Sequence, residues 1–529
     1  MMPPIRLADF SNEGVTQYKR KLMMFSRQQH PLNFMKGVAA ALSLVPGVAL
    51  HATPEPVAPK PNIVLLLADD LGYGDVGCYG ATRVRTPNID RLRAQGVRFT
   101  DAHAPAAVCQ PTRYGILAGR YYWRTTAKAN NYYFHANEIL LPKVLKDGGY
   151  RTAAFGKWHI GWGSEGGASD AEWFNREDLN PGPNTAGFDY FFGMPNTHEH
   201  SPQVYIENNR VYKRDPADPL RTDVQKDPIW KYAGSTRRSA GAKAAHEACD
   251  LNTLDLEMGK RAAAWIADQT KEKTFFLYVP FFAPHVPLLP NGTFAGTSRA
   301  GVQGDFIQQM DRGVGMILTA LKEHGFEEDT LVVFTSDNGG VYIQEAMDKG
   351  HRSMGELLGL KGDAWEGGHR VPFLARWPGR IPAGADCDEL LSLTDLYATF
   401  AAAAGVVLPQ NAAPDSVNQL PLFEHPLDTP AIRTEMVYMG RGAGLRAGDW
   451  VYYPAQGPQG LFGTFYMTQL GFKNSDYEGN DLRQDAQPAQ LYNVKEDISQ
   501  AVNRYTRYPR IAAQMKARLS EILRQKRSR

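Results

Sequence analysis

The sequence predicts an α/β fold: a mixed, mostly parallel sheet flanked by helices, followed by a smaller C-terminal antiparallel α+β subdomain. Three observations point to it. Short, continuous apolar runs at residues 62–68, 273–279 and 331–335 suit strands buried on both faces of a parallel sheet, because a half-exposed strand would alternate. Segments with helical spacing lie between them. From about residue 420 the pattern changes to alternating strands, turn residues and a terminal amphipathic helix.

The chain has 529 residues, far more than one small core needs, so a large domain with a smaller one is the natural division. We divide it into a leader at 1–52, a linker at 53–61, a main domain at 62–420 and a C-terminal subdomain at 421–529. Net charge is +2, which removes any bulk electrostatic case for nucleic-acid or membrane binding. Four cysteines in such a length do not form a disulfide framework. In the leader, Lys19, Arg20, Lys21 and Arg27 precede an apolar run at residues 37–50 and a polar turn at His51. A basic start, a short apolar core and a small residue before a Pro-rich spacer read as a secretory signal peptide cleaved after Ala52. The run is too short, and too broken by Pro46-Gly47, for a membrane span, so no stable membrane insertion is expected.

The first buried run ends in Asp69-Asp70. Adjacent carboxylates after such a strand are costly unless paired or metal-bound, and oxygen ligands suit a hard cation. Thr86 and Pro87 open a helix as N-cap and first-turn residue. The next stretch carries Cys109, Pro111, Arg113 and the pair Gly119-Arg120. Its turn-forming residues suit a loop that delivers Cys109 to a helix N-terminus, where amides and dipole favour an anion. Residues 140–146 read as a short helix closed by Gly148-Gly149, and residues 150–155 as a strand leading into Gly156-Lys157-Trp158-His159. In a strand-like stretch Lys157 and His159 project to one side.

Residues 160–250 are rich in loops. Residues 188–193 read as a buried turn. His198, Glu199 and His200 read as an insertion lining the substrate entrance, which makes His198 and His200 candidate substrate contacts. Residues 254–269 have helical spacing. The second buried run leads to His285, held between Pro284 and Pro287 in a rigid turn. Residues 304–325 form an amphipathic helix with Ile307, Met310, Val314, Ile317, Leu318 and Leu321 inside. The third run ends in Asp337-Asn338, a carboxylate beside an amide oxygen, which again suits a hard cation. Lys361 stands shortly before Glu366-Gly367-Gly368, with Val371-Pro372 beyond; residues 371–377 read as a strand and 394–404 as a helix. Residues 511–529 form the terminal basic helix. In open α/β sheets ligands sit at the carboxyl ends of the strands, so the sheet itself gathers Asp69, Asp70, Lys157, His159, His285, Asp337 and Asn338.

Cys109-Gln110-Pro111-Thr112-Arg113 with Gly119-Arg120 resembles the signature of the type I sulfatases of the alkaline-phosphatase superfamily. Gly156-Lys157-Trp158-His159, Lys361 before Glu-Gly-Gly, and the closing strand around residues 490–497 are similar to the same family. The resemblance runs from about Asn62 to about Asn503. It implies an alkaline-phosphatase-like fold and hydrolysis of sulfate monoesters. It implies that Cys109 is oxidised to formylglycine, whose hydrate is the nucleophile, by a formylglycine-generating or anaerobic maturation enzyme. It also implies one Ca²⁺ held by Asp69, Asp70, Asp337, Asn338 and modified Cys109. Arg113, Lys157 and Lys361 would clamp the sulfate, His285 would protonate the leaving alcohol, and His159 would serve as base. A signal peptide on such an enzyme suggests a periplasmic or secreted scavenger of sulfated sugars, such as glycosaminoglycan or algal oligosaccharides. Two alternatives remain open on the sequence: a phosphonate or phosphodiester hydrolase on the same fold, and a non-catalytic calcium-dependent binder of sulfated glycans.

Overall fold

β1 (Asn62–Asp69) is buried along its whole length. Its alternate side chains explain why no polar residue interrupts it. Ile63, Leu65 and Leu67 enter one hydrophobic core, while Val64, Leu66 and Ala68 enter a second core on the opposite face of the sheet. The computed structural model describes residues 60–125, 133–135, 137–162, 176–200, 203–215, 217, 248–461 and 463–528. The expected leader, and the expected linker up to residue 59, lie outside them.

After β1 come β2 (Val97–Phe99), β3 (Ala102–His103), β4 (Arg151–Lys157), β5 (Tyr190–Met194) and the short pair β6 (Ile206–Glu207) and β7 (Arg210–Val211). β8 (Phe275–Pro284), β9 (Thr330–Ser336), β10 (Phe373–Arg376), β11 (Ala385–Cys387) and β12 (Leu391–Ser392) follow. Ten of these form one sheet in the order β11-β2-β10-β9-β1-β8-β4-β5-β6-β7, and β3 pairs separately with β12. β9, β1, β8, β4 and β5 run parallel, whereas β10 is antiparallel to both β9 and β2. This is the mixed, mostly parallel sheet expected. The register sets Ala68 beside Ser336 and Asp69 beside Pro284, so the residues that follow each strand emerge at one level of one edge.

Helices cover both faces. α1 (Pro87–Ala94) is followed by α2 (Cys109–Ala118), α3 (Leu141–Asp147), α4 (Leu254–Ala267), α5 (Val302–Glu323) and α6 (Leu396–Ala403). All six inward residues predicted for the helix at 304–325 are buried. Three local expectations need correction. Thr86 does not cap α1. Its hydroxyl accepts from Gly77 N at 2.9 Å and donates to Asp90, while Asp311 on α5 takes the first-turn amides of Asn88 and Ile89. Residues 188–193 are no simple turn, because β5 starts at Tyr190 and pairs with β4. β4 stops at Lys157, and His159 takes a left-handed backbone, φ +57°, outside the strand alternation assumed for it. All four cysteines are free.

The C-terminal part has β13 (Glu435–Met439), β14 (Ala443–Ala447) and β15 (Trp450–Tyr453), a small hairpin of β16 (Tyr477–Glu478) and β17 (Asp481–Leu482), and β18 (Gln490–Asn493). β13, β14, β15 and β18 form an antiparallel sheet. Leu445, Tyr452 and Leu491 on its outer face bury Met515, Leu519 and Ile522 of the terminal helix α7 (Pro509–Arg524). Its inner face, through Met436, Tyr438, Val451 and Tyr492, packs on Leu358, Leu360 and Trp365. Those residues carry the loop of Lys361. Ala364 N donates to Pro458 O at 2.7 Å, and Tyr466 donates to Asp363 at 2.6 Å. A Cβ on Gly362 (φ +90°) would come within 2.7 Å of Leu461. Deeper in the seam, Arg446 of β14 holds Asp101 at 3.0 Å, and Arg370 bridges Asp101 to Glu366. Next to them His103 and His369 face one another, Nδ1 to Nδ1, at 3.0 Å. Pro59–Arg529 form a single compact unit, so these strands belong to the same body as the large sheet.

Candidate active site

Asp69 closes β1, and Asp70 turns the chain sharply with φ +64°. A non-glycine residue rarely holds this conformation, and such outliers gather where the surroundings over-determine them. Here Asp70 N donates to Asp337 Oδ1 at 3.2 Å and Leu71 N donates to Ser336 Oγ at 3.0 Å. The turn lets both carboxylates meet one sulfur. Cys109 Sγ at the start of α2 lies 3.3 Å from Asp69 Oδ1 and 3.7 Å from Asp70 Oδ1. Burial pushes the Cys109 thiol well above its ordinary pKa, and Asp337 adds to the effect. The sulfur is therefore held as a neutral thiol, which is a poor nucleophile.

Each buried acid has its own cation. Lys157 Nζ meets Asp69 Oδ2 at 2.6 Å, and Lys361 Nζ meets Asp70 at 2.7 Å. Arg113 stands 2.7 Å from Asp337 Oδ2, and its NH1 donates to the Lys157 carbonyl at 2.9 Å. Burial alone would lower the Arg113 and Lys361 pKa values, but Asp337 and Asp69 outweigh it for Arg113, and Asp70 for Lys361, so both are raised. Gly156 makes the approach possible: with φ +139°, a Cβ there would stand 1.9 Å from Pro280 O on β8. Lys157 can therefore leave β4 directly against the end of β1.

His285 follows β8 and is nearly buried, its Nε2 3.7 Å from Asp70 Oδ2 and 4.0 Å from Glu199 Oε1. Thr197 Oγ1 and Val286 O hold its Nδ1 at 3.3 and 2.5 Å. Burial, then Lys361 and Lys157, press its pKa well below the usual value. His159 is lowered by burial, then by Lys157 and Arg113, and its Nδ1 has no hydrogen-bond partner among the described residues. His200 is half-exposed at the mouth, its ring centroid 6.5 Å from that of His159. His198 differs from expectation. It is fully buried behind His285, its Nε2 on Pro287 O at 2.8 Å, so it backs the site and does not line an entrance. His351, paired with buried Asp75 at 2.6 Å, likewise serves the fold.

Neutral buried histidines have a consequence for stability. His285 lies well below the unfolded value of about 6.5, and burial lowers His198 to about 3. The unfolded chain then binds protons that the folded chain refuses. Stability is full above about pH 6.5 and is lost as pH falls toward the folded values, by about 1.4 kcal/mol per unit per histidine. Buried Asp255 and Asp363, raised to about 7 and about 8, act with the opposite sign, so the test is a difference: the change in urea-unfolding stability between pH 7.5 and 5.5 should differ by about 1.4 kcal/mol between wild type and His198→Gln, and equal changes would remove the assignment of His198.

The donor set suits a cation. Asp69, Asp70, Cys109 and His285 offer ligand atoms all within 4.8 Å of one another. Beside them Asn338 Oδ1 is buried with no hydrogen-bond partner among the described residues, although its amide nitrogen donates to Asp70 Oδ1 at 2.8 Å. An orphaned carbonyl oxygen among carboxylates is a site for a hard cation, and such an ion prefers Asp337 and Asn338 oxygens to imidazole. The structure thus brings together Asp69, Asp70, Cys109, Arg113, Lys157, His285, Asp337, Asn338 and Lys361, with His159 and His200 at the margin. Glu199 was not singled out as a site residue; its only signal in the sequence is its place between His198 and His200.

A mixed sheet of this order, with acids, cations and histidines collected at the carboxyl ends of its parallel strands, defines an alkaline-phosphatase-like hydrolase. The Sulfatase family model matches residues 61–406, and the chain belongs to that family: it is a type I sulfatase, a sulfuric ester hydrolase. It is 33% identical over 530 residues to N-acetylgalactosamine-6-O-sulfatase of Bacteroides thetaiotaomicron, covering 92% of this chain and 99% of that one. Human N-acetylgalactosamine-6-sulfatase is 34% identical over 388 residues, covering 71% of this chain and 67% of the other. A structure solved in work on the metabolism of multiple glycosaminoglycans by Bacteroides thetaiotaomicron superposes with a TM-score of 0.75 at 30% identity, covering 88% of this chain and all of that one.

Proposed function

We propose that this sulfatase hydrolyses sulfate monoesters of carbohydrates, using a formylglycine made from Cys109 and one Ca²⁺. The observation that carries the reading is the meeting of Cys109 Sγ with two carboxylates beside the orphaned Asn338 oxygen. A buried neutral thiol there has no evident use as it stands, whereas an oxidised, hydrated side chain would have oxygen to offer both a metal and a sulfur atom. Asp69, Asp70, Asp337 and Asn338 would hold the ion with residue 109, and the ion would supply Lewis-acid polarisation of a sulfate oxygen. Formylglycine, as its hydrate, would supply the attacking hydroxyl.

The chain's own residues do the rest. Lys157, Lys361 and Arg113 neutralise the sulfate oxygens and exclude water from them. Asp337 is the nearby acid whose pKa burial raises, which suits it to receive the proton of the attacking group. His285 Nε2 is placed to give a proton to the leaving alcohol once the negative charge of a bound sulfate ester favours its protonated form, with Lys361 beside it. His159, kept neutral and with a free nitrogen, takes the second proton. The sugar is proposed because relatives are named as N-acetylgalactosamine-6-sulfatases.

No helix among the described residues is long and apolar enough to cross a membrane. The periplasmic or secreted location rests on the leader, the maturation enzyme on the need to oxidise Cys109, and the domain boundary near 420 on the change of pattern there. Mass spectrometry of the Cys109 peptide, with turnover of a panel of sulfated mono- and disaccharides, tests the proposal; an unmodified thiol in active protein would sink it. Faster turnover of an aryl phosphodiester than of any sulfate ester would point to the phosphodiesterase alternative. Chelation is expected to remove activity and added Ca²⁺ to restore it. Asp337→Ala should raise the Ca²⁺ concentration for half-maximal activity at least about tenfold, and an unchanged requirement would take Asp337 out of the ligand set.

A further inference from the structure

Among the described acids gathered with Cys109, Glu199 alone has no lysine or arginine paired to it. Asp69, Asp70 and Asp337 are matched by Lys157, Lys361 and Arg113. No hydrogen bond among the described residues reaches the Glu199 carboxylate, and its nearest titratable neighbours among them are His200 Nε2 at 3.7 Å and His285 Nε2 at 4.0 Å. The side chain is 23% exposed, so it is neither solvated freely nor satisfied by the described residues. Burial leaves its pKa raised, although Lys361 and Lys157 draw it down in part. A carboxylate in this position repels a sulfate group and so cannot serve the anionic half of a substrate. It suits a hydrogen-bond donor on the other half of the substrate, and its place says where on that half the donor lies. His285 Nε2, which gives a proton to the leaving oxygen, has Asp70 at 3.7 Å and Glu199 at 4.0 Å. The Glu199 oxygens therefore lie within the span of one sugar ring from the ester that is cut.

We propose that Glu199 selects the alcohol half of the substrate by accepting a hydrogen bond from a free hydroxyl close to the sulfated position. The ligand class is then a sulfate ester of a polyhydroxy compound, and a plain aryl sulfate forgoes the contact. The proposal rests on the sulfate-ester reading above. A site that holds a carboxylate for a hydroxyl discriminates strongly, because an analogue without the hydroxyl leaves the acid desolvated and unpaired.

The test compares wild type, Glu199→Gln and Glu199→Ala on three substrates: the best sugar sulfate from the panel, its deoxy analogues lacking one hydroxyl each, and 4-nitrophenyl sulfate. We expect the ratio of kcat/KM for the sugar to kcat/KM for the aryl ester to fall about 10- to 100-fold in both variants. One deoxy analogue should lose a similar factor with wild type and lose nothing further with the variants. The desulfated sugar should also inhibit the variants more weakly than wild type. Equal losses on sugar and aryl esters would overturn the proposal, since Glu199 would then act through His285 or the fold. A wild type that cuts 4-nitrophenyl sulfate but no sugar sulfate would overturn it too, and would leave the sulfatase reading intact. A wild type that cuts neither would remove that reading and this one together.

Discussion

Cys109→Ala is expected to lower turnover of every sulfate ester by at least about 10³-fold while leaving far-UV circular dichroism and the urea midpoint close to wild type. The prediction follows from where the sulfur sits. It opens α2 and touches two carboxylates, yet burial and Asp337 keep it protonated, so the thiol itself contributes neither charge nor nucleophile. Removing it costs a small polarisable group and leaves no unpaired charge, because Lys157 and Lys361 still hold Asp69 and Asp70. Activity and stability should therefore separate. Substantial residual turnover would show that residue 109 is not the nucleophile. A collapsed fold would show that the contact is structural.

Arg113→Met should have the opposite profile, with stability lost along with activity. Arg113 is wholly buried and donates from Nε to Asp337 Oδ2 at 2.8 Å, with NH2 2.7 Å from the same oxygen. Its NH2 also lies 3.6 Å from Asp69. Methionine fills much of the volume but leaves Asp337 as a buried carboxylate without its cation. Breaking one side of such a pair costs about 3–5 kcal/mol. Ca²⁺ should repair part of this, because a cation bound to the folded state adds stability in proportion to how strongly it is held. Urea unfolding of both proteins with and without Ca²⁺ measures it: the variant should be stabilised more by the ion than wild type is. A loss below about 1 kcal/mol, or equal calcium effects, would show that Arg113 does not hold the acids in place.

The site was legible because the centre of the large sheet is parallel. Every buried strand with a polar end sends that end to one edge, so Asp69, Asp70, Lys157, His285, Asp337 and Asn338 could be assembled from apolar runs alone. Lys361 had no strand to announce it and was found through its resemblance to a family pattern. What the sequence concealed depends on contacts between distant segments. Thr86 looks like a cap, but Asp311, more than two hundred residues away, takes the amides. His198 looks like its neighbour His200, but one is buried against Pro287 and the other half-exposed, a difference set by loop packing and not by residue type. His159 follows β4 in a left-handed turn that no alternation rule anticipates.

The straps between the C-terminal sheet and the Lys361 loop bear on how such enzymes diversify. Ala364 N to Pro458 O, Tyr466 to Asp363, and Leu461 lying where Gly362 has no Cβ all tie the chain's last quarter to a lysine that touches Asp70. The last quarter is therefore no interchangeable cassette. A graft of these strands from another sulfatase would have to carry its own partner for Leu358, Leu360 and Trp365, or the ammonium group would drift from its carboxylate. Change in these strands is thus expected to need compensating change in residues 357–365.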